Sequence, residues 1–342
     1  MSATNTPVVF VDGANGFIGT TVILEALKQG YHVKAAVRRQ ESADAFGKKY
    51  PEHGSKIDWV FIPDFSDQEA VAAALKGVTY VMHVASPFRF DFTDNEKEVL
   101  IPARENTLSI LRAAAKNPEV KRVVITSSFA AVCDLLKGMW PEKTYSEQDW
   151  NPATWNEAVR SDIPPFVYCA SKGFAERAAW EYMDQEKPGF ALTTFCPPMV
   201  FGPPQQPIKS MKSLNESVDQ LWRLFSGTEK EVPFTNFPGF IDVRDLAHLH
   251  LASLTNDKAR DKRYLVVGGH YSFDEAVVVA REAFPNQAAR MTPSTGKPAP
   301  EHYKLDVSKA EADFDIKWTP FKKTIVDTAE VLFKTEALLA SA

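Results

Sequence analysis

Val8-Val9-Phe10-Val11-Asp12-Gly13-Ala14-Asn15-Gly16-Phe17-Ile18-Gly19 is the stretch from which the fold can be read. Val8 to Val11 is unbroken and apolar, mostly β-branched, the pattern of a strand buried on both faces of a parallel sheet. Gly13, Gly16 and Gly19 follow at the spacing GxxGxxG. From Phe17 to Gln29, Ile18, Val22, Ala26 and Leu27 fall on one helical face, and Gly30 is the stop signal. A strand, a glycine turn and a helix in this order predict a nucleotide cradle. Without side chains, the turn lets a pyrophosphate approach the backbone, its charge resting on unpaired N–H groups at the helix N-terminus. Gly13, Asn15, Gly16, Phe17, Ile18 and Gly19 are the candidate cofactor-binding residues of this turn.

Composition narrows the class. The chain has 342 residues, 44% hydrophobic and 24% charged, as expected for a globular enzyme with a substantial core. Its 39 Lys and Arg against 44 Asp and Glu give a net charge of −5, which predicts neither nucleic acid nor a membrane surface as partner. Cys133, Cys169 and Cys196 are too few and too scattered for a disulfide framework or a zinc site. His248 and His250, two apart, fall on different faces of a helix, so no metal site is expected. No run approaches the ~20 apolar residues of a membrane span. Met1 to Pro7 is short, polar and uncharged, which predicts no leader and a cytoplasmic protein.

Beyond the first helix, strands are predicted at 31–37, 59–62, 78–84 and 122–126, separated by helices at about 41–50, 67–76 and 94–117. A loop-rich stretch from Cys133 to Phe166 precedes a helix at 168–184 and a strand at 191–196. This alternation predicts an α/β fold, a Rossmann-type doubly wound parallel sheet with ligand sites at the C-terminal ends of the strands. Past Pro197 the alternation loosens into helices and isolated strands, such as 264–267. We therefore expect a dinucleotide-binding Rossmann domain over 1–196 and a smaller α/β substrate-binding domain over 197–342, with parts such as 240–256 returning to the first.

The cofactor can be read further. Where a dinucleotide fold places an acidic residue for the ribose hydroxyls of NAD, this chain has Arg38 and Arg39. A carboxylate would repel a 2′-phosphate, whereas guanidinium pairs with it in a two-pronged geometry, so NADPH is expected. Asp64, beside Phe65 at the end of the third strand, is placed to accept from the adenine amino group. Tyr168-Cys169-Ala170-Ser171-Lys172 contains YxxxK, which on a helix projects a phenol and an ammonium into the same space. A phenol with a solution pKa near ~10 needs that ammonium to exchange protons near neutral pH. Thr126-Ser127-Ser128 closes the fifth strand, where a hydroxyl can stabilise developing alkoxide charge.

These residues make the chain resemble the extended short-chain dehydrogenase/reductase family, in its dihydroflavonol-reductase-like branch, nearest the fungal NADPH-dependent methylglyoxal/isovaleraldehyde reductases and ketoreductases. The resemblance is carried by GANGFIG (13–19), AVR (36–38), HVASPF (83–88), RVVITSSFAAV (122–132), WNPATW (150–155), YCASK (168–172), VFGP (200–203) and FIDVRDL (240–246). It implies Ser128, Tyr168 and Lys172 as catalytic residues, with Lys172 also holding the nicotinamide ribose. It implies Arg38 at the 2′-phosphate, Ala85, Ser86 and Thr126 along the cofactor, Pro197 and Val200 beside the nicotinamide, and Ser217 as a further contact. Phe88, Phe129, Phe166 and Met199, with Ser128, are the expected substrate wall. The expected activity is NADPH-dependent reduction of an apolar aldehyde or ketone.

Three departures stand out. Ser42 replaces a lysine that often assists the phosphate, so Arg39 takes that role. The asparagine of the proton-relay helix falls at Glu105, with Asn106 at the neighbouring position. Phe129 and Met199 stand where relatives have tyrosine, which makes the pocket more apolar. Other readings share the fold: a reductase of bulky steroid- or flavonoid-like ketones, a nucleotide-sugar epimerase or dehydratase, and a non-catalytic NADP-sensing protein. Asp12 stands where relatives usually have Thr or Ser, so its carboxylate either repels the pyrophosphate or is turned away onto loop N–H groups.

Overall fold

The computed structural model describes residues 6–85 and 91–341. The opening apolar run is strand β1 (Val8–Val11), followed by α1 (Phe17–Lys28). Alternation continues through β2 (His32–Val37), α2 (Gln40–Lys49), β3 (Ile57–Phe61), α3 (Gln68–Ala74) and β4 (Tyr80–His83). A π-helical turn at Glu96–Leu100 runs into α4 (Ile101–Ala115), and β5 (Arg122–Thr126) follows. Next come β6 (Thr144–Tyr145), α5 (Trp155–Arg160), α6 (Pro164–Glu186) and β7 (Ala191–Cys196). The remainder comprises β8 (Met199–Phe201), α7 (Glu216–Ser226), β9 (Gly239–Asp242), α8 (Val243–Ala252), β10 (Lys262–Leu265) and β11 (Gly269–His270). It ends in α9 (Phe273–Ala283), α10 (Pro285–Ala288), β12 (Lys304–Leu305), α11 (Ser308–Phe314) and α12 (Phe321–Ser341).

Seven parallel strands form the main sheet in the order β10-β7-β5-β4-β1-β2-β3. The order reverses between β1 and β4, so a crevice for a ligand opens at the ends of these two strands. Burial on both faces explains the unbroken apolar runs. Val9, Val11 and Val124 enter one core, and Phe10, Val123 and Ile125 enter the other, all of them buried. Each such side chain contributes roughly 1.5–3 kcal/mol by leaving water.

The boundaries depart from the sequence expectation where local pattern is blind to packing. Helix α6 starts at Pro164 rather than Tyr168, because Pro164 and Pro165 occupy a first turn whose N–H groups need no helical partner. Strand β10 sits two residues earlier than 264–267, set by its pairing of Lys262 with Thr193 on β7. The chain beyond Pro197 returns to the first domain twice: α8 packs along α1, and β10 is the outermost strand of the main sheet. Outside these returns, β8, β9 and β11 form a second sheet, and β12 pairs with β6. Arg244 binds Asp242 at 2.7 Å and Asp327 at 2.5 Å, and Thr324 donates to Asp242, fastening α12 to the start of α8. No helix among the described residues is long and apolar enough to cross a membrane.

Candidate active site

The glycine turn closes tightly on itself. Gly13 has φ +61, and a Cβ there would stand 3.1 Å from the Ala85 nitrogen. A Cβ on Gly19 would lie 2.1 Å from the Gly13 carbonyl oxygen, so this residue admits the close approach of α1 to the turn. Gly16 caps α1 with no side-chain hydrogen bond, and the first turn of the helix holds no acidic residue. Asn15 and Gly16 are exposed and Ile18 is half-buried, whereas the Phe17 ring is buried in the core and offers the cradle only its backbone. Asp12, fully buried, is turned away from the turn. Its Oδ1 accepts from the Val84 and Ala85 N–H groups at 2.6 Å each, and its Oδ2 lies 2.5 Å from His83 Nδ1. The choice left open by sequence therefore falls to the hydrogen-bonded arrangement, with Ala85 held against the turn by the same carboxylate.

Arg38 and Arg39 follow β2 at the surface, and neither is salt-bridged among the described residues. Asp64 ends the β3 region; the backbone N–H and side chain of Ser66 hold its carboxyl below the usual range, helped by Arg38. Phe65 is half-buried, and its carbonyl accepts from Ser109 Oγ at 2.6 Å. A helix N-terminus without a capping side chain or nearby carboxylate, together with two exposed guanidinium groups at the end of β2, fits a dinucleotide bearing an additional phosphate.

Across the crevice, Ser128 follows β5 while Tyr168 and Lys172 share one face of α6. Ser128 is hydrogen-bonded to Tyr168, and its Oγ also accepts from the Ala130 N–H at 3.1 Å. Burial raises the Tyr168 phenol well above its ordinary value, opposed in part by the bond to Ser128. Burial lowers the Lys172 ammonium to about 8, although Glu176 one turn further along α6 favours its charge. Lys172 Nζ donates to the Thr126 carbonyl at 3.3 Å, so the end of β5 positions it. The two shifts favour neutral phenol and neutral amine, so a phenolate at Tyr168 forms only at a cost that a charged Lys172 beside it reduces.

Sequence reading missed the network behind this pair. Glu176 is buried; it accepts from Ser127 Oγ and Thr194 Oγ1 at 2.6 Å each and from Arg263 Nε at 2.9 Å. Burial opposes its charge, but Arg263 and these hydroxyls hold its carboxyl below the usual range. Arg263 in turn lies 3.7 Å over the Trp150 ring and donates to the carbonyls of Ala131, Glu147 and Asp149. The spacing 168, 172, 176 was the available signal, since residues four apart share a helix face. Thr126 Oγ1 is 2.7 Å from His250 Nε2, and burial lowers that imidazole to about 4, so it is neutral at physiological pH.

The relay position also resolves differently from the expectation. Glu105 points outward and pairs with Arg112 at 3.1 Å, whereas Asn106 lines a cavity of about 20 Å³ with Lys172, Glu176, Thr107 and His83. Helix phase turns Asn106, not Glu105, towards the lysine.

Pro197 accepts from the Phe129 N–H at 2.8 Å, and Val200 accepts from Ser217 Oγ at 2.7 Å. The Ser217 hydroxyl thus ties α7 to β8. The described residues of the proposed apolar wall each have their own packing surroundings. The Phe129 ring, 1% exposed, is enclosed by Tyr145, Phe237 and Tyr303, with ring centroids 5.4, 6.5 and 5.3 Å away. Met199 packs against the main core, and Phe166 is buried at the start of α6. Ser86 and Phe88 lie outside the described residues. Among the described residues, no group of three or more His, Cys, Asp or Glu could hold a metal ion.

Comparison with known proteins agrees with this geometry. The family described as NAD dependent epimerase/dehydratase matches residues 9–268. The NADPH-dependent methylglyoxal reductase of Saccharomyces cerevisiae is 36% identical over 96% of this chain and 98% of its own. A ketoreductase of Aspergillus niger is 33% identical over 84% of this chain and 85% of its own. The crystal structure of yeast methylglyoxal/isovaleraldehyde reductase complexed with NADPH superposes with a TM-score of 0.86 at 34% identity, covering 96% of this chain and 99% of the other. Sheet order, glycine turn, Ser–Tyr–Lys set and these relatives converge: the chain belongs to the NAD-dependent epimerase/dehydratase family, within the extended short-chain dehydrogenase/reductases, and is an oxidoreductase.

Proposed function

We propose that this protein is an NADPH-dependent carbonyl reductase that converts small apolar aldehydes or ketones to alcohols. The observation that carries the reading is Tyr168, hydrogen-bonded to Ser128 and one turn from a buried Lys172, at the end of the sheet where the cradle opens. Arg38 and Arg39 support the phosphorylated cofactor, and the names of the relatives support carbonyl compounds as substrates.

NADPH, when bound, supplies the hydride that adds to the carbonyl carbon. Ser128 donates to the carbonyl oxygen and stabilises its growing negative charge. Tyr168 transfers its phenolic proton to that oxygen. Lys172, its ammonium near its point of half-protonation at about pH 8, lowers the cost of the resulting phenolate. The residues around the reacting oxygen thus act as donor, acid and electrostatic support.

The test is a panel of α-dicarbonyls, branched aldehydes and aryl ketones, scored by NADPH oxidation. Turnover of at least one class is expected, and Tyr168→Phe should abolish it while leaving NADPH binding near normal. Retained turnover in Tyr168→Phe would sink the mechanism, and an inert wild-type protein would sink the activity.

A further inference from the structure

Lys172 is held by the Thr126 carbonyl at 3.3 Å, so whatever fixes Thr126 bears on the reaction. Strand β5 ends there. The Ser127 N–H turns back to the Ile125 carbonyl at 3.1 Å, which makes Thr126 the middle residue of a three-residue turn. Each hydroxyl of Thr126-Ser127-Ser128 then has a different partner. Ser127 donates to Glu176 at 2.6 Å and Ser128 is bonded to Tyr168, both on α6. The Thr126 hydroxyl instead meets His250 Nε2 of α8 at 2.7 Å.

His250 is fully buried, and no step of the reduction as described uses it. Its protonation follows from its partners. The Leu246 carbonyl, one turn back on α8, can only accept, so Nδ1, 2.8 Å away, carries the ring proton. Burial lowers the imidazole to about 4, so at neutral pH Nε2 is an uncharged acceptor and Thr126 is the donor. The Phe195 ring packs against the imidazole, with centroids 5.2 Å apart, on the strand that pairs with Thr126. Thr126 also lines the cavity of about 20 Å³ that it shares with Lys172. A hydroxyl released from Nε2 can therefore turn into the lysine's own surroundings.

We propose that His250 is a positioning residue for the reduction: by accepting from the Thr126 hydroxyl, it fixes the strand end whose carbonyl anchors Lys172 beside Tyr168. It moves no proton and acts only through Thr126. A β-branched side chain held at its hydroxyl has one rotamer left, and the backbone of the turn is steadied with it. The steadied carbonyl accepts from the ammonium and so, like Glu176, favours the charged lysine against burial. Among the described residues, the titratable groups facing Lys172 are Tyr168 and Glu176 from its own helix, Cys196 from β7 and His83 from β4. All four stay in place when His250 alone is replaced. His250 lies beyond residue 197, so the returning helix α8 supplies a support for the lysine that the first 196 residues lack.

The inference rests on the carbonyl-reductase reading, and His250→Phe tests it by keeping a ring while removing the acceptor. Carbon-13 NMR of the cofactor-free protein reads the lysine without any need for turnover. Lys172 should titrate near 8 in the wild type and at lower pH in the variant. Nitrogen-15 NMR should show wild-type His250 as the neutral Nδ1–H form at neutral pH. With wild-type turnover of a carbonyl established, kcat of His250→Phe should fall by about 10- to 100-fold, the scale of a misplacement of up to ~1 Å. NADPH affinity, carried mainly by the glycine turn and Arg38, should change less. His250→Gln, whose amide oxygen can take the place of Nε2, should recover both the lysine titration and kcat. If His250→Phe folds poorly, the double variant His250→Phe/Thr126→Val leaves neither partner unmet, and its kcat should stay low although stability returns. The proposal is overturned by a wild-type ring protonated at Nε2, by an unmoved Lys172 titration, or by wild-type kcat in His250→Phe or in the double variant. Failure of His250→Gln to recover either readout would also overturn it, because ring shape and not the acceptor would then matter. A wild type inert to every carbonyl would remove the underlying reading, and the NMR titrations would still decide whether His250 holds the lysine.

Discussion

Glu176→Gln isolates the charge of the buried network with almost no change in volume. In the wild type, Glu176 takes Arg263 Nε at 2.9 Å and Nη2 at 3.1 Å, with both side chains under a tenth exposed. Breaking a buried pair by removing one charge costs about 3–5 kcal/mol. Arg263 keeps three backbone carbonyls and the face of Trp150, so the lower end applies, about 3 kcal/mol out of a typical total of about 5–15 kcal/mol. Urea unfolding followed by tryptophan fluorescence at neutral pH measures this difference. The pH dependence has a definite sign. The folded-state carboxyl lies below its ordinary value, so its stabilisation is complete above the unfolded value of ~4.3 and is lost as pH falls through the folded value. The gap between wild type and variant should therefore be constant at neutral pH and narrow only in acid. A second readout comes from Lys172, whose charge Glu176 supports against burial. In the variant its titration falls below about 8, and the alkaline limb of the activity profile moves to lower pH. A variant within about 0.5 kcal/mol of wild type with an unmoved alkaline limb would refute the role given to this network.

Arg38→Ala should weaken NADPH by about 10- to 100-fold, the loss of charged hydrogen bonds worth about 1.5–3 kcal/mol, and leave NADH nearly unchanged in fluorescence titrations. An equal loss for both cofactors would count against the phosphate role. Gly19→Ala drives a methyl group to 2.1 Å from the Gly13 carbonyl oxygen, a backbone atom that no side-chain rotation can relieve. Cofactor affinity and thermal stability should fall together, the latter by about 1–3 kcal/mol, and unaltered binding would show that the turn is softer than its packing implies. Asp12→Thr cannot serve three donors as the carboxylate does, so stability should drop by about 1–3 kcal/mol with no gain in NADPH affinity. Tighter binding would show that the carboxylate repels the phosphates despite its hydrogen bonds.

What could be read from sequence was local. The strand–turn–helix at residues 8–28 and the i, i+4 phenol–ammonium pair are set by near neighbours, and their signals survive without any tertiary knowledge. Contacts between distant residues carried no such trace. Glu176 and Arg263 are 87 positions apart, Asp12 and His83 71 apart, and each pair is brought together only by the sheet order. Ser128 and Phe129 are adjacent in sequence yet have different surroundings in the fold. Extended backbone at Ser128 sends its hydroxyl to Tyr168 while the next ring turns into the Tyr145–Tyr303 cluster. Glu105 and Asn106 differ in the same way on a helix, where one step of about 100° separates surface from cavity.

The outermost position of β10 has a consequence for how such a protein can be divided or rebuilt. Strand β7 is buried along its whole length and lies between β5 and β10. A chain cut at residue 196 would bare the outer edge of β7, a row of unmet N–H and C=O groups that recruits other strands. It would also strip α8 from α1, the helix that carries the glycine turn. The C-terminal part is therefore a sewn-in panel and not a detachable lid. Grafting it from a relative would open the sheet at its seam, so new specificity has to be introduced by substitutions within the panel, with its stitches left in place.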